Sequence, residues 1–170
     1  SSPPISVLLK LTDVPSDDFF AEMLTKQLGA RFAGAGSIRA GAGVIAQVAE
    51  GFGVHPVIRD GSGLSRGDRA SPAEIVALLR ALWETVLGEQ LLKALPIVGV
   101  SGTVQRIGVG TPAQGRCQAK TGTLDAVTNL AGYCRARDGH VLAFALFLDG
   151  SDNPRAITLI GKMVGAIARY

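Results

Sequence analysis

Lys120-Thr121-Gly122-Thr123 sets one lysine among hydroxyls, with a glycine between them. Lys120 supplies a fixed positive charge, and Thr121 and Thr123 supply hydrogen-bonding oxygens. Gly122 lets another backbone approach closely, as a bound substrate would. Together these groups can hold a carboxylate and add a backbone N–H to an oxyanion hole. Taken alone, a lysine near a strand end reads equally well as a solvated edge charge. The weight of the tetrapeptide therefore rests on what surrounds it.

The surrounding segment, residues 115–133, reads as a strand, a turn and a second strand. Placing the turn near Asp125 and Ala126 sets Cys117 opposite Cys134 across the two strands. Opposed antiparallel residues lie within disulfide reach. The pair reads as a disulfide if the protein is exported, and as two reduced core cysteines if it is not. Strands are expected at 115–123, 128–137 and 140–149, the last pair joined through Arg137-Asp138-Gly139. Asp152 to Pro154 opens a closing helix that runs to about 169.

Upstream of the sheet the pattern is helical. A first helix is expected over 4–12, with Pro3 and Pro4 in its first turn and Ser2 as a cap. Ser16-Asp17-Asp18 caps a second helix at about 17–29, and Phe19 and Phe20 are expected in the core. Residues 37–52 form a third helix of small residues. Ser71-Pro72-Ala73-Glu74 is a capping box opening a helix to about Leu87. Leu91 to Ile97 adds a further turn or two, and 100–114 are irregular. Trp83, on an apolar helix, is expected in the core or at an interface. A helical half followed by an antiparallel sheet with a packed terminal helix is α+β.

The totals narrow the function. The 170 residues suit one domain with a core, and 47% apolar against 18% charged residues argues against disorder. The net charge of +3 comes without a basic run, so no nucleic-acid partner is expected. No metal site is expected from two cysteines and two distant histidines, His55 and His140, and no cofactor is called for. The start lacks Met and a signal-peptide pattern, so the chain reads as a mature, processed or excised piece.

Four stretches now combine: SPPISVLLK at 2–10, SDDFFAEML at 16–24, DGSGLSR at 60–66, and GRCQAKTGTL with NLAGY over 115–133. In their order and over most of the chain, they resemble the C-terminal portion of serine D-alanyl-D-alanine carboxypeptidases. The resemblance is to the class C low-molecular-mass penicillin-binding proteins, with DGSGLSR the most specific stretch. It implies a DD-peptidase/β-lactamase-like fold, with residues 1–170 forming the C-terminal part of one transpeptidase-like domain. The helical segment would cover about 1–97, and the strands with the terminal helix about 98–170. It implies cleavage of D-Ala-D-Ala bonds in peptidoglycan stem peptides through an acyl-enzyme, trapping by β-lactams, and an extracytoplasmic location.

By the same resemblance, Lys120 supports proton transfer, and Thr121 and Thr123 hold the substrate's terminal carboxylate. The Thr123 N–H forms half of the oxyanion hole. Ser16 passes a proton to the leaving amine, and Asp18 stands where the family usually has asparagine. Ionised, Asp18 cannot donate as an amide does. DGSGLSR is expected to tie the two halves together. Ser151-Asp152-Asn153 also spells the middle motif, but out of order, and reads as a turn and helix cap.

No Ser-x-x-Lys occurs in the chain, and in the family that motif carries the nucleophile and its base. The nucleophile-bearing part is therefore expected upstream, on the same polypeptide or as a second chain. Without it the segment is expected to be inactive, and to self-associate if no partner covers it. Two other readings compete. A class A β-lactamase would need a deacylating glutamate, for which Glu50 is the nearest candidate. A non-catalytic wall-peptide-binding module would need no nucleophile.

Overall fold

The computed structural model describes residues 3–150 and 152–170. Ser2 and Ser151, expected in a cap and in a turn, lie outside the described residues. Among the described residues, five α-helices precede three antiparallel strands and a sixth α-helix. They are α1 (Ile5–Asp13), α2 (Asp18–Phe32), α3 (Ile38–Gly51), α4 (Pro72–Trp83), α5 (Val86–Ala94), β1 (Cys117–Leu124), β2 (Val127–Arg135), β3 (Val141–Asp149) and α6 (Asn153–Ile167).

Local chemistry sets most boundaries. Asp17 caps α2 by accepting from the Phe20 N–H at 2.8 Å, and Ser37 caps α3 through Ala40 at 3.2 Å. Ser71 and Glu74 form a full capping box with Pro72 in the first turn of α4. The helix expected to continue to Leu87 ends at Trp83 instead. The Thr85 hydroxyl donates to the Leu82 carbonyl at 2.8 Å and accepts from the Leu87 N–H at 3.1 Å. It closes one helix and opens the next, the local competition that threonine offers a backbone. The turns expected over Leu91 to Ile97 are the second half of α5, which stops at Ala94. Residues 96–98 run extended beside β1.

The sheet has the order β1-β2-β3. Its core face carries Cys117, Ala119, Leu130 and Phe144, packed with Ile160 and Val164 of α6 and with Val98 and Val104. Cys117 stands opposite Cys134 in the register, and their sulfurs are bonded. The other face carries Tyr133 against Leu79 of α4 and Leu95. The Tyr133 hydroxyl donates to the Leu79 carbonyl at 2.7 Å, and its ring lies 5.1 Å from that of Trp83. Helices thus cover both faces of the sheet.

The expectation for the Phe19 and Phe20 pair changes. Phe19 is 73% exposed, and only Phe20 is half-buried. The packed face of α2 is built from Thr25 and Gly29, because Gly41 of α3 lies against Thr25 too closely for larger side chains. Trp83 is 39% exposed and packs at the sheet rim. At the other end, Asp152 caps α6. Asn153 accepts from the Thr128 hydroxyl and donates to the Leu124 carbonyl, both at 3.1 Å, fastening α6 to the hairpin. No helix among the described residues is long and apolar enough to cross a membrane.

Candidate active site

The outer edge of β1 is covered at one end and open at the other. The Val98 N–H donates to the Cys117 carbonyl, and the Ala119 N–H donates to the Pro96 carbonyl. Pairing stops there. An antiparallel ladder turns the N–H and C=O of alternate residues to the same side. The backbone groups of Thr121 and Thr123 therefore face the same open side as those of Cys117 and Ala119. Gly122 sits opposite Asn129, and a methyl group on it would meet nothing nearer than 3.7 Å. The space above it belongs to a cleft.

That cleft has a volume of about 750 Å³. Its floor is β1 from Lys120 to Leu124, and one end is closed by Ser16 and Asp18. The Gly61–Leu64 loop forms one wall, and Thr103 and Arg106 contribute to another. All six residues singled out for chemistry in the sequence (Ser16, Asp18, Lys120, Thr121, Gly122 and Thr123) line it. Glu50 is exposed on α3 and is not among the lining residues.

Lys120 and Ser16, 104 positions apart, meet directly. Lys120 Nζ donates to Ser16 Oγ at 2.5 Å and to the Thr121 carbonyl at 3.0 Å. Ser16 holds φ at 60°, in the left-handed region. For a residue with a Cβ this costs about 1–2 kcal/mol. Asp17 helps to fix the turn by donating its N–H to the Thr12 carbonyl at 2.9 Å. A strained serine hydroxyl held on a lysine ammonium is an arrangement able to relay a proton.

Burial lowers the Lys120 pKa, and the negative charges of Asp13 and Asp18 oppose that shift. Burial also raises the Asp13 carboxyl, with Lys120 pulling the other way. Desolvation outweighs mutual attraction in both groups.

Three residues that matter here escaped the sequence reading. Asp13 ends α1 and acts on Lys120 through its field. Thr103 shares a hydrogen bond with the Thr121 hydroxyl at 2.7 Å. Glu22, one turn into α2, accepts from the backbone of the DGSGLSR loop. Asp13 and Glu22 flank Ser16-Asp17-Asp18 closely in sequence, which is the one signal that pointed to them. Thr103 lies in an irregular stretch and gave none. Arg106 is exposed and lines the cleft.

Comparisons with known proteins follow the same line. The profile of the D-Ala-D-Ala carboxypeptidase 3 (S13) family matches residues 1–170. A D-alanyl-D-alanine carboxypeptidase of Actinomadura sp. (strain R39) is 34% identical over 163 residues, covering 91% of this chain and 30% of that protein. The chain thus spans under a third of that relative's length. Penicillin-binding protein 4 of Haemophilus influenzae, solved with a β-lactam, superposes with a TM-score of 0.89. It is 24% identical, over 99% of this chain and 42% of that one. The TLA-3 extended-spectrum β-lactamase shares the fold at a TM-score of 0.76 and 18% identity, over 99% of this chain and 64% of that one. The α+β fold is that of the penicillin-binding protein and β-lactamase group.

Proposed function

The chain belongs to the D-Ala-D-Ala carboxypeptidase 3 (S13) family, and on that premise we propose that it is the C-terminal part of a penicillin-binding serine DD-carboxypeptidase/endopeptidase. Residues 1–170 contribute the middle and last motifs of one transpeptidase-like domain. The attacking serine and its lysine base come from a Ser-x-x-Lys outside these residues. The substrate is a peptidoglycan stem peptide ending in D-Ala-D-Ala, and β-lactams occupy the same cleft. Such a substrate places the protein outside the cytoplasm, where the Cys117–Cys134 bond is at home.

The observation that carries this reading is the 2.5 Å contact of Lys120 Nζ with Ser16 Oγ at the end of a cleft floored by an open strand edge. A stem peptide lying along that edge meets the outward backbone of Thr121 and Thr123. Its terminal carboxylate is held by the two threonine hydroxyls, with Thr103 orienting that of Thr121. The Thr123 N–H faces the developing oxyanion. Lys120 holds the Ser16 proton chain together, and Ser16 delivers the proton to the leaving amine. Asp18 contributes negative charge beside Lys120 rather than an amide donor. Glu50, the candidate that a β-lactamase reading offers for deacylation, is not among the residues lining the cleft.

The test is covalent labelling of the complete gene product with a fluorescent penicillin, followed by intact mass. One acyl adduct is expected on a serine outside residues 1–170, with release of D-Ala from D-Ala-D-Ala peptides. A folded complete protein that neither labels nor cleaves overturns the enzyme reading.

Strain and chemistry at Ser16 separate in a pair of variants. Ser16→Gly and Ser16→Ala both remove the hydroxyl that Lys120 holds, and each is expected to slow acylation by about a hundredfold or more. Only glycine relieves the left-handed backbone, so Ser16→Gly is expected to be about 1 kcal/mol more stable than Ser16→Ala in urea denaturation. Equal stability in the two variants would count against the strain account.

A further inference from the structure

The Asp60–Arg66 loop has no regular secondary structure, yet nearly all of its early N–H groups are spoken for. Asp60 accepts from the Gly63 N–H at 2.7 Å and from the Ser65 N–H at 2.8 Å, closing the loop on itself. Ser62 Oγ accepts from the Leu64 N–H at 3.4 Å. The remaining pair goes to another element. Glu22 Oε2 on α2 accepts from the Gly61 N–H at 3.3 Å and the Ser62 N–H at 3.1 Å.

Gly61 lies so close to α2 that a methyl group on it would stand 2.6 Å from Thr25 Cβ. The loop's far end is fastened elsewhere: Arg66 Nη2 donates to the Asp125 carbonyl at 2.9 Å, in the β1–β2 turn. Between the two anchors, Ser62, Gly63 and Leu64 form a wall of the cleft. Glu22 Oε1 is buried with no hydrogen-bond partner among the described residues.

We propose that Glu22 is a positioning residue: through the Asp60–Arg66 strap it sets the spacing between α2, which begins at Asp18, and the β1–β2 turn, which follows Thr123. The proposal rests on reading the cleft as the D-Ala-D-Ala site. The strap joins the end of the cleft that bears Ser16 and Asp18 to its floor, Lys120 to Thr123. With either anchor cut, the wall drifts, and bound peptide loses alignment with Lys120. Misplacement on the scale of an ångström is enough to slow a positioned reaction heavily.

The experiment is a double-mutant cycle in the complete protein, reading kcat and KM for a D-Ala-D-Ala peptide together with the melting temperature. Glu22→Ala and Arg66→Ala are each expected to lower kcat/KM by about tenfold. The double variant is expected to fall little further, because both cut one strap. Glu22→Gln keeps a carbonyl that can accept both N–H groups and is expected to stay within about twofold of the parent. Independent losses that multiply to about a hundredfold in the double variant overturn the proposal. So does a Glu22→Ala variant that lowers the melting temperature while leaving kcat/KM untouched.

Hydrogen exchange of the residue 61–65 amides in the complete protein gives a readout that does not need turnover. Protection lost in Glu22→Ala supports the strap even if the parent proves to cleave nothing, which would sink the enzyme reading alone. Protection unchanged in Glu22→Ala overturns the strap whatever the activity.

Discussion

Replacing Lys120 with methionine is expected to slow penicillin acylation and peptide cleavage by the complete protein between about a hundredfold and ten-thousandfold. Methionine keeps much of the apolar stem and removes the ammonium. Both hydrogen bonds go with it, to Ser16 Oγ and to the Thr121 carbonyl. Ser16 then keeps its strained backbone with nothing to hold its hydroxyl. Stability is expected to change little, because an apolar side chain replaces a partly desolvated charge.

The pH profile carries the finer test. Lys120 donates to Ser16 in its charged form, so activity falls as pH rises through its pKa. Burial lowers that pKa, and Asp13 and Asp18 hold it up. Asp13→Asn removes one of the supporting charges. The alkaline limb of kcat/KM is therefore expected to move to lower pH in that variant. An alkaline limb in the same place in parent and Asp13→Asn would show that Lys120 does not set it.

What could be read from the sequence was what a few neighbouring residues decide among themselves. Asp17, within the Ser16–Asp18 stretch, and the Ser71–Glu74 box cap helices through bonds that span three positions, so the spacing alone reveals them. The two-residue turn at Asp125 and Ala126 fixed the β1–β2 register, and with it the facing of Cys117 and Cys134. Phe19 faces solvent rather than the core for a physical reason. Apolar character marks a core face when side chains fill the gap between helices. Here the gap between α2 and α3 is closed by backbone, with Gly41 against Thr25 and Gly29 against Ala35 and Gly41. The bulky residue is left facing out.

The site divides along the same line. Lys120 to Thr123 lies in a single tetrapeptide, which gains its weight from the strands and motifs around it. Its meeting with Ser16 depends on how α1 and α2 dock beside the sheet, which no local spacing encodes. Only the resemblance of the two motifs to one family joined them. Thr103 reaches the cleft from the short 3-10 turn Gly102–Val104, and Glu22 touches it only through the Asp60–Arg66 loop, segments in which sequence periodicity carries no signal. Asp13 sits one turn before Ser16 but faces Lys120 only because the chain reverses at Val14 to Asp17.

The tightest place in the sheet adjoins Lys120, and a single methyl group there is expected to cost more than any surface change. Gly132 on β2 pairs with Ala119 on one side and Phe144 on the other. A Cβ at 132 would press on the Gln118 carbonyl oxygen and lie 2.6 Å from Ala119 Cα and 2.9 Å from Ala119 Cβ. Two of those atoms are backbone, so no rotamer change makes room. β1 and β2 would have to part, while the Cys117–Cys134 bond two positions away holds them together. Gly132→Ala is therefore expected to lose about 3 kcal/mol in urea denaturation.

Gly43 is the matched control. It lies exposed within α3, and a methyl group added there would meet nothing within 4 Å. Gly43→Ala is expected to gain about 0.5–1 kcal/mol from helix propensity. The contrast isolates the cause, since both variants add one methyl group to a glycine. Equal effects would mean that β1 and β2 yield at 119 and 132. In that case the position of Lys120 over the cleft would not depend on strand packing there.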